Sequence, residues 1–314
     1  MKVLVTGGAG YIGSKLVETL SCHDEVSEIV IYDNLANHNF DVFLHLQLAK
    51  SARVRFIRGD ILDRRNLVRS LDGVDIVYHL AARVSTPHAV SDHHALEQVN
   101  HWGTAELASA LEEPQHRHCR LVYLSSTAVY GASDSPANED TPPQPSTHYG
   151  TSKLRGEAQV QRLVDAGRAT IIRSGNVFGF SPCTRFDAVI NRFAFEANFS
   201  GRITIHGSGR QRRSYLSVTE LCGLLAELLT STVPPALYNY AVHELSVLDL
   251  VGVFKEALPD LEFIFVDQHL ALGSYTVDSR RLASHYAAPA VRSIDTELSE
   301  LVSSFSFGAA LGNG

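Results

Sequence analysis

The chain has 314 residues, of which 45% are hydrophobic and 19% charged, with a formal net charge of -7. That length and apolar content can fill one large α/β domain or two unequal ones, and they exclude disorder as the default. The acidic balance argues against a binder of duplex nucleic acid, which needs surplus Lys and Arg to neutralise phosphates. No apolar run approaches a membrane span, and "MKVLVTGGAG" lacks the separate charged, apolar and small-residue regions of a secretory leader, so a cytoplasmic location is expected. Cys22, Cys119, Cys183 and Cys222 are scattered without a C-x-x-C pair, which points to reduced thiols. Fifteen histidines raise the question of a metal, but none has zincin spacing with a glutamate, and no metal site is expected.

In chain order, "KVLVT" (2–6), "EIVIY" (28–32), "VRFI" (54–57), "DIVYHL" (75–80) and "RLVYLS" (120–125) are near-continuous apolar runs, as strands covered on both faces require. Helix-like stretches such as "YIGSKLVETL" and "LEQVNHWGTAELASALEE" lie between them. The alternation predicts a parallel sheet built from βαβ units. A Pro-rich loop, "SPANEDTPPQPS", precedes a further helix that opens in "STHYGTSKLRGEA", and its character suits a rim over a pocket. After "ATIIRSGNVFG" (169–179) the rhythm loosens, with helices expected near 218–229 and 246–257 and short strands near 203–205, 237–240 and 262–266. We therefore expect a nucleotide domain over 1–175 and a smaller substrate lobe over 176–314, with elements free to interleave.

Two motifs carry chemistry. In "VLVTGGAGYIGSKLVETL", Gly8, Gly10 and Gly13 stand in G-x-G-x-x-G register between strand and helix, and Gly7, Gly10 and Gly13 fit a G-x-x-G-x-x-G variant. Glycines there allow a tight turn and close backbone approach to a pyrophosphate, whose charge meets the unpaired N–H groups of the helix start. Asp33 closes the second strand twenty residues after Gly13, where a carboxylate accepts ribose hydroxyls and repels a 2′-phosphate, so NAD is expected over NADP. Asp60 in "RGDI" follows the third strand, within reach of an adenine amino group, and "HLAA" (79–82) follows the fourth at the sheet's carboxyl edge, where open parallel sheets bind ligands. The second motif is Tyr149 and Lys153, one helical turn apart.

These residues, with "YDN", "VN" and "GT" (99–104), "SSTAVYG" (125–131), "RSGNVFG" (173–179) and "RRSYLSVTE" (212–220), occur in the order found in a known family. The chain resembles the extended short-chain dehydrogenase/reductases, and within them the NAD-dependent nucleotide-sugar epimerases and dehydratases, to about residue 255. The resemblance implies an α/β fold with a Rossmann-type doubly wound parallel sheet and a smaller mixed α/β lobe. It implies NAD held by Gly7, Gly10, Tyr11, Ile12, Asp33, Asn34, Asp60, Ile61, Leu80, Ala81, Ala82 and Asn100, with Tyr149 and Lys153 completing the site.

Tyr149 would be the base that takes a proton from a sugar hydroxyl while hydride leaves the same carbon for NAD. A phenol of pKa near 10 needs help from neighbouring positive charge, which a lysine ammonium and the nicotinamide ring supply. By the same resemblance Ser126 hydrogen-bonds the reacting oxygen, Lys153 also holds the nicotinamide ribose, and Asn176 and Arg213 contact the substrate diphosphate, which gives the basic "GRQRRS" a use other than nucleic acid. Tyr275 is matched to the wall of the sugar pocket, where it leaves little room for an N-acetyl arm. The chain is expected to act on a nucleoside-diphosphate sugar as a homodimer.

Two departures stand out. Gln268 falls where many relatives place a second diphosphate-binding arginine, with Arg280 and Arg281 the nearest substitutes, and the usual carboxy-terminal Leu-Gly-Trp or Leu-Gly-Tyr signature is absent. Related dehydratases carry Asp-Glu after the catalytic Thr, and related decarboxylases keep the Glu, where this chain has Ala128. The leading reading is therefore 4-epimerisation of a UDP-hexose or UDP-hexuronate type of substrate. A 4,6-dehydratase, decarboxylase or 4-ketoreductase of the same family, and a non-catalytic NAD-binding regulator, are the alternatives.

Overall fold

Alternation along the first strands decides how the two faces of the main sheet are covered. In β1 (Lys2–Thr6), Val3 and Val5 enter one apolar core while Leu4 enters another, and in β2 (Glu28–Asp33) Ile29 and Ile31 part from Val30 and Tyr32 in the same way. A sheet with apolar side chains on both faces needs helices on both sides. The computed structural model describes residues 1–49, 53–84, 92–133, 135–267 and 273–305 and shows that arrangement.

The strands that follow are β3 (Arg53–Arg58), β4 (Ile76–His79), β5 (Arg120–Ser126), β6 (Ala169–Ser174), β7 (Asn176–Phe178), β8 (Arg202–His206) and β9 (Arg212–Ser217). The last three are β10 (Leu237–Tyr240), β11 (His243–Ser246) and β12 (Glu262–Val266). Seven of them form one sheet in the order β10-β6-β5-β4-β1-β2-β3. Each pairing is parallel, as the βαβ reading requires. The order runs outward in both directions from β1 and β4, so the sheet is doubly wound, and ligands of such sheets bind where the order reverses. β10 comes from the second half of the chain, so the main sheet draws on both halves.

The helices are α1 (Tyr11–Ser21), α2 (Val42–His45), α3 (Arg64–Ser70), α4 (His93–Leu96), α5 (Thr104–Glu112), α6 (His148–Asp165), α7 (Val189–Ser200), α8 (Val218–Glu227), α9 (Val247–Ala257), α10 (Arg280–Ala283) and α11 (Ile294–Ser303). Leu16, Val17 and Leu20 of α1 and Leu221, Leu224 and Leu225 of α8 cover one face, while Leu67, Leu107, Leu111, Val160 and Leu163 cover the other. A separate core of Phe193, Ile203, Ile205, Leu250, Phe254 and Leu298 fills the smaller lobe, around a sheet ordered β11-β9-β7 and the pair β12-β8. There His243 on β11 pairs with Glu297 on α11 at 3.2 Å, and Glu220 of the α8 capping box completes a cluster that pins α11 to the lobe.

One stretch read from sequence as a single helix is not regular. Residues Glu97–Gly103, between α4 and α5, form a π-helix, a form concentrated at functional sites. α6 passes close beside it at Gly156, where a Cβ would lie 2.7 Å from the Asn100 carbonyl and 2.4 Å from the Tyr123 hydroxyl. Among the described residues no helix is long and apolar enough to cross a membrane.

Candidate active site

The glycine turn after β1 is held mostly by backbone, with one side-chain contact where the Ala9 amide donates to Asp33. The Gly7 amide donates to Tyr32 O at 2.8 Å, and Gly7 has φ +72°, with a Cβ there 2.6 Å from the Ala81 amide nitrogen. A Cβ on Gly13 would lie 2.2 Å from Gly7 O. Only glycine fits either place without displacing backbone. Side chains cap the starts of α6, α8 and α9, through Thr147, Ser217 and Ser246, but none caps α1. The first turn of α1, with Tyr11 and Ile12, thus has no side-chain acceptor and is set for an anion.

Beside the turn is a cleft of about 100 Å³ lined by Gly7, Gly10, Asp33, Asn34, Ile61, Leu80, Ala81 and Ala82. Asp33 Oδ2 accepts from the Ala9 amide at 3.1 Å and Oδ1 from Leu35 N at 2.8 Å. Burial raises its carboxyl above the ordinary value, against the pull of those two amides. Asn34 donates to Asp60 Oδ2 at 3.0 Å, and Asp60 Oδ1 accepts from Leu62 N at 2.9 Å, which fixes both residues at the rim. Asn100 is fully buried; it binds the Arg83 backbone through both ends of its amide, at 2.8 and 2.9 Å, and donates to Ser152 Oγ at 2.9 Å. It therefore ties the segment after Ala82 to the helix that carries Tyr149. Arg83, which the sequence reading missed although it directly follows "HLAA", reaches across to Asn37 Oδ1 at 3.1 Å.

The last residues of β5 and the first turns of α6 assemble the second group. The Ser126 side chain accepts from Ala128 N at 3.2 Å and acts on the Tyr149 hydroxyl in the direction that favours the phenolate. Lys153 is buried, donates from Nζ to Leu124 O at 2.6 Å and stands 4.4 Å over the Tyr123 ring. Burial pulls its ammonium down to about 7, against the attraction of Glu157. Burial also raises the Tyr149 phenol, and the charge that acts most against this is Arg185, not Lys153. Arg185 comes from the 179–188 loop; its carbonyl accepts from Asn191 Nδ2 at 3.0 Å and its Nε pairs with Asp187 at 2.6 Å. The Tyr11 hydroxyl donates to Gly179 O at 2.8 Å and accepts from Asn191 at 3.3 Å, so this loop is tied to the glycine turn.

The smaller lobe contributes a third group. Asn176 donates to Ser214 O at 3.2 Å, and the guanidinium of Arg213 lies 4.0 Å over the ring of Tyr275. Arg213 also donates to the carbonyls of Arg212, at 2.8 Å, and Gly273, at 2.5 Å. Tyr275 acts electrostatically on Tyr149, so this group lies near the phenol. Of the two arginines nearest in sequence to the position of the missing second diphosphate arginine, Arg280, 90% exposed, pairs with Asp278, and Arg281 pairs with Glu139 and Asp140. Gln268 lies outside the described residues.

Residues 3–241 match the family described as NAD dependent epimerase/dehydratase. The chain belongs to that family. A dTDP-D-glucose 4,6-dehydratase of Homo sapiens is 31% identical over 278 residues, 83% of this chain and 76% of that protein. A UDP-glucose 4-epimerase of Mycolicibacterium smegmatis is 31% identical over 233 residues, 70% of this chain and 71% of that protein. Among solved structures, MoeE5 in complex with UDP-glucuronic acid and NAD superposes with a TM-score of 0.80 at 27% identity, covering 96% of this chain and 98% of that one. The uncapped start of α1, the glycine cradle and Asp33 beside it suit a dinucleotide with free ribose hydroxyls, so this member of the epimerase/dehydratase family is an enzyme with NAD as its cofactor.

Proposed function

We propose that this family member interconverts the C4 epimers of a nucleoside-diphosphate sugar, a UDP-hexose or UDP-hexuronate, through a transient 4-keto sugar. NAD supplies the hydride acceptor and donor when bound. Tyr149 takes the C4 hydroxyl proton and later returns it, and Ser126 holds the same oxygen. Asn176 and Arg213 receive the diphosphate, for which a planar guanidinium is suited.

The observation that carries this reading is what acts on the phenol: among the described residues the strongest side-chain influences on Tyr149 are Arg185, Ser126 and Tyr275, none of them a carboxylate. The Asp187 carboxylate beside Arg185 is taken up by its guanidinium at 2.6 Å, and residue 128 is an alanine with only a methyl group. Elimination of water across C5 and C6 requires a further acid and base beside the tyrosine, and a methyl can neither donate nor accept a proton. Epimerisation requires neither. Within it, Arg185 favours the hexuronate: a guanidinium that acts on the reacting tyrosine is suited to a carboxylate on the neighbouring C5.

The test is incubation of the protein and NAD with UDP-glucuronic acid or UDP-glucose and no added reductant. The expected result is a mixture of C4 epimers of unchanged mass, faster from the glucuronate. Loss of water or carbon dioxide, read by mass spectrometry, would replace this reading with a dehydratase or decarboxylase.

A further inference from the structure

Tyr149, Lys153 and Glu157 follow one another at successive turns of α6, and the last three residues of β5 meet them one by one. Ser126 acts on Tyr149, Leu124 O accepts a hydrogen bond from Lys153 Nζ at 2.6 Å, and the Ser125 hydroxyl donates to Glu157 Oε1 at 2.5 Å. Tyr149 has its task in the proposed reaction and Lys153 its expected contact to the nicotinamide ribose, but Glu157 has none. Its side chain is as buried as that of a core leucine, with exposure of 6%, and it is clamped by Arg173 on β6, also 5% exposed. The clamp is bidentate: Arg173 Nε donates to Oε1 at 2.9 Å and Nη2 to Oε2 at 2.7 Å. Arg173 is itself fixed, its guanidinium 4.7 Å from the ring centroid of Tyr130, whose hydroxyl donates to Asn239 at 2.8 Å.

A buried ion pair of this kind is poor value as a stabiliser, because desolvation of both ions offsets their attraction. Its position suggests another use. The titratable groups that face Lys153 are Tyr123 on β5, His79 on β4, and Tyr149 and Glu157 on its own helix. Tyr123, Tyr149 and His79 are neutral at ordinary pH, since burial raises both phenols and lowers the imidazole to about 3. Glu157 is the anion of that set, and Arg173 partly neutralises it.

We propose that Glu157 is a positioning residue for Lys153: held rigid by Ser125 and Arg173, it keeps the buried ammonium charged and seated against Leu124 O. Arg173 sets how much of that negative charge Lys153 experiences. The inference rests on the reading of Lys153 as the contact to the nicotinamide ribose, but it can be tested apart from it.

The chain has five lysines, so ¹³Cε-labelled lysine gives few enough signals to follow each through a pH titration of the cofactor-free protein by NMR, with Lys153 identified by its loss in Lys153→Met. Glu157→Gln should lower the Lys153 midpoint by about one pH unit or more, the scale on which a nearby opposite charge acts. Arg173→Met, which breaks the same ion pair but leaves the carboxylate, should raise it. Opposite shifts are the signature of an electrostatic role. Midpoints that move together, or do not move, overturn the proposal. Should an unpaired buried ion prevent either variant from folding, the double variant Glu157→Gln/Arg173→Met removes both charges, and its midpoint should lie below that of the parent; an unchanged midpoint overturns the proposal equally. The reading beneath it fails separately, if Lys153→Met leaves NAD affinity unchanged.

Discussion

The two sides of the cleft are built by different means. On the cofactor side the site is mostly backbone: the turn at Gly7, the uncapped start of α1 and the segment Leu80–Ala82 present amides and carbonyls, with Asp33 the main side chain. On the side we assign to the sugar it is mostly side chains brought from far apart, with Arg185 and Tyr275 acting on Tyr149 and Arg213 stacked on Tyr275. A backbone site depends on where glycine is allowed, a property of a few adjacent residues. A side-chain site depends on how remote segments pack, and any one member can change without disturbing the rest.

This difference accounts for what could be read from the sequence. The inner strands of the main sheet, unlike the half-exposed edge strand β3, were legible because burial on both faces leaves an unbroken apolar run, and the glycine turn because only glycine fits beside Ala81 and Gly7 O. Tyr149 and Lys153 were legible from helical spacing. Arg185 was not: its position depends on Asn191 and, through it, on the Tyr11 hydroxyl 180 residues away, and no local pattern records that tie. Glu157 was in plain view on α6, but an acid on a helix ordinarily faces water, and only Arg173 on a neighbouring strand shows that it is buried. The π-helix at Glu97–Gly103 escaped because its buried residues, Asn100 and Gly103, leave no apolar pattern that would distinguish it from an α-helix.

The sharpest way to break the comparison is to disable the chemistry and ask whether the cofactor side notices. Tyr149→Phe should lower turnover by about 10² to 10⁴, the usual contribution of a general acid–base group, while calorimetry shows NAD affinity unchanged. A parallel loss of NAD affinity would mean that the two sides are not separately built.

Next in size come single changes on each side. Gly7→Ala forces a Cβ into a left-handed turn 2.6 Å from the Ala81 nitrogen. Strain and overlap together should cost NAD affinity about two orders of magnitude, with little scope for repair. Arg213→Ala should raise KM for the nucleotide sugar by about 10- to 100-fold, as loss of a charged hydrogen bond does, and leave NAD affinity alone. If the glycine variant binds NAD normally, the backbone account of the cofactor side is wrong.

The smallest expected effect lies beneath both sides, at His79. It is fully buried, with Nδ1 2.7 Å from Thr6 Oγ1 and Nε2 2.9 Å from Thr104 Oγ1. Thr104 spends its hydroxyl proton on Asn100 O at 2.7 Å, so it can only accept from Nε2–H, and Nδ1 must accept from Thr6. The neutral imidazole satisfies both contacts; a second proton would face the Thr6 donor and the Lys153 cation in a fully buried site. Burial first, then Lys153, lowers its pKa to about 3 from an ordinary 6.5. Between those values the unfolded chain binds a proton that the folded chain refuses, so this group's contribution is intact above about pH 6.5 and is lost as pH falls toward 3, at up to ~1.4 kcal/mol per unit. Asp33 and Glu220, whose carboxyls burial raises, act with the opposite sign at the acid end, so the parent protein alone would not isolate the effect. His79→Gln does isolate it, because an amide oxygen and nitrogen can replace the same acceptor and donor without titrating. Urea denaturation at pH 7 and pH 5 should show the parent losing about 1–2 kcal/mol more stability than the variant across that interval. Equal losses would mean that His79 is not held neutral, and that the floor shared by the two sides carries a charge.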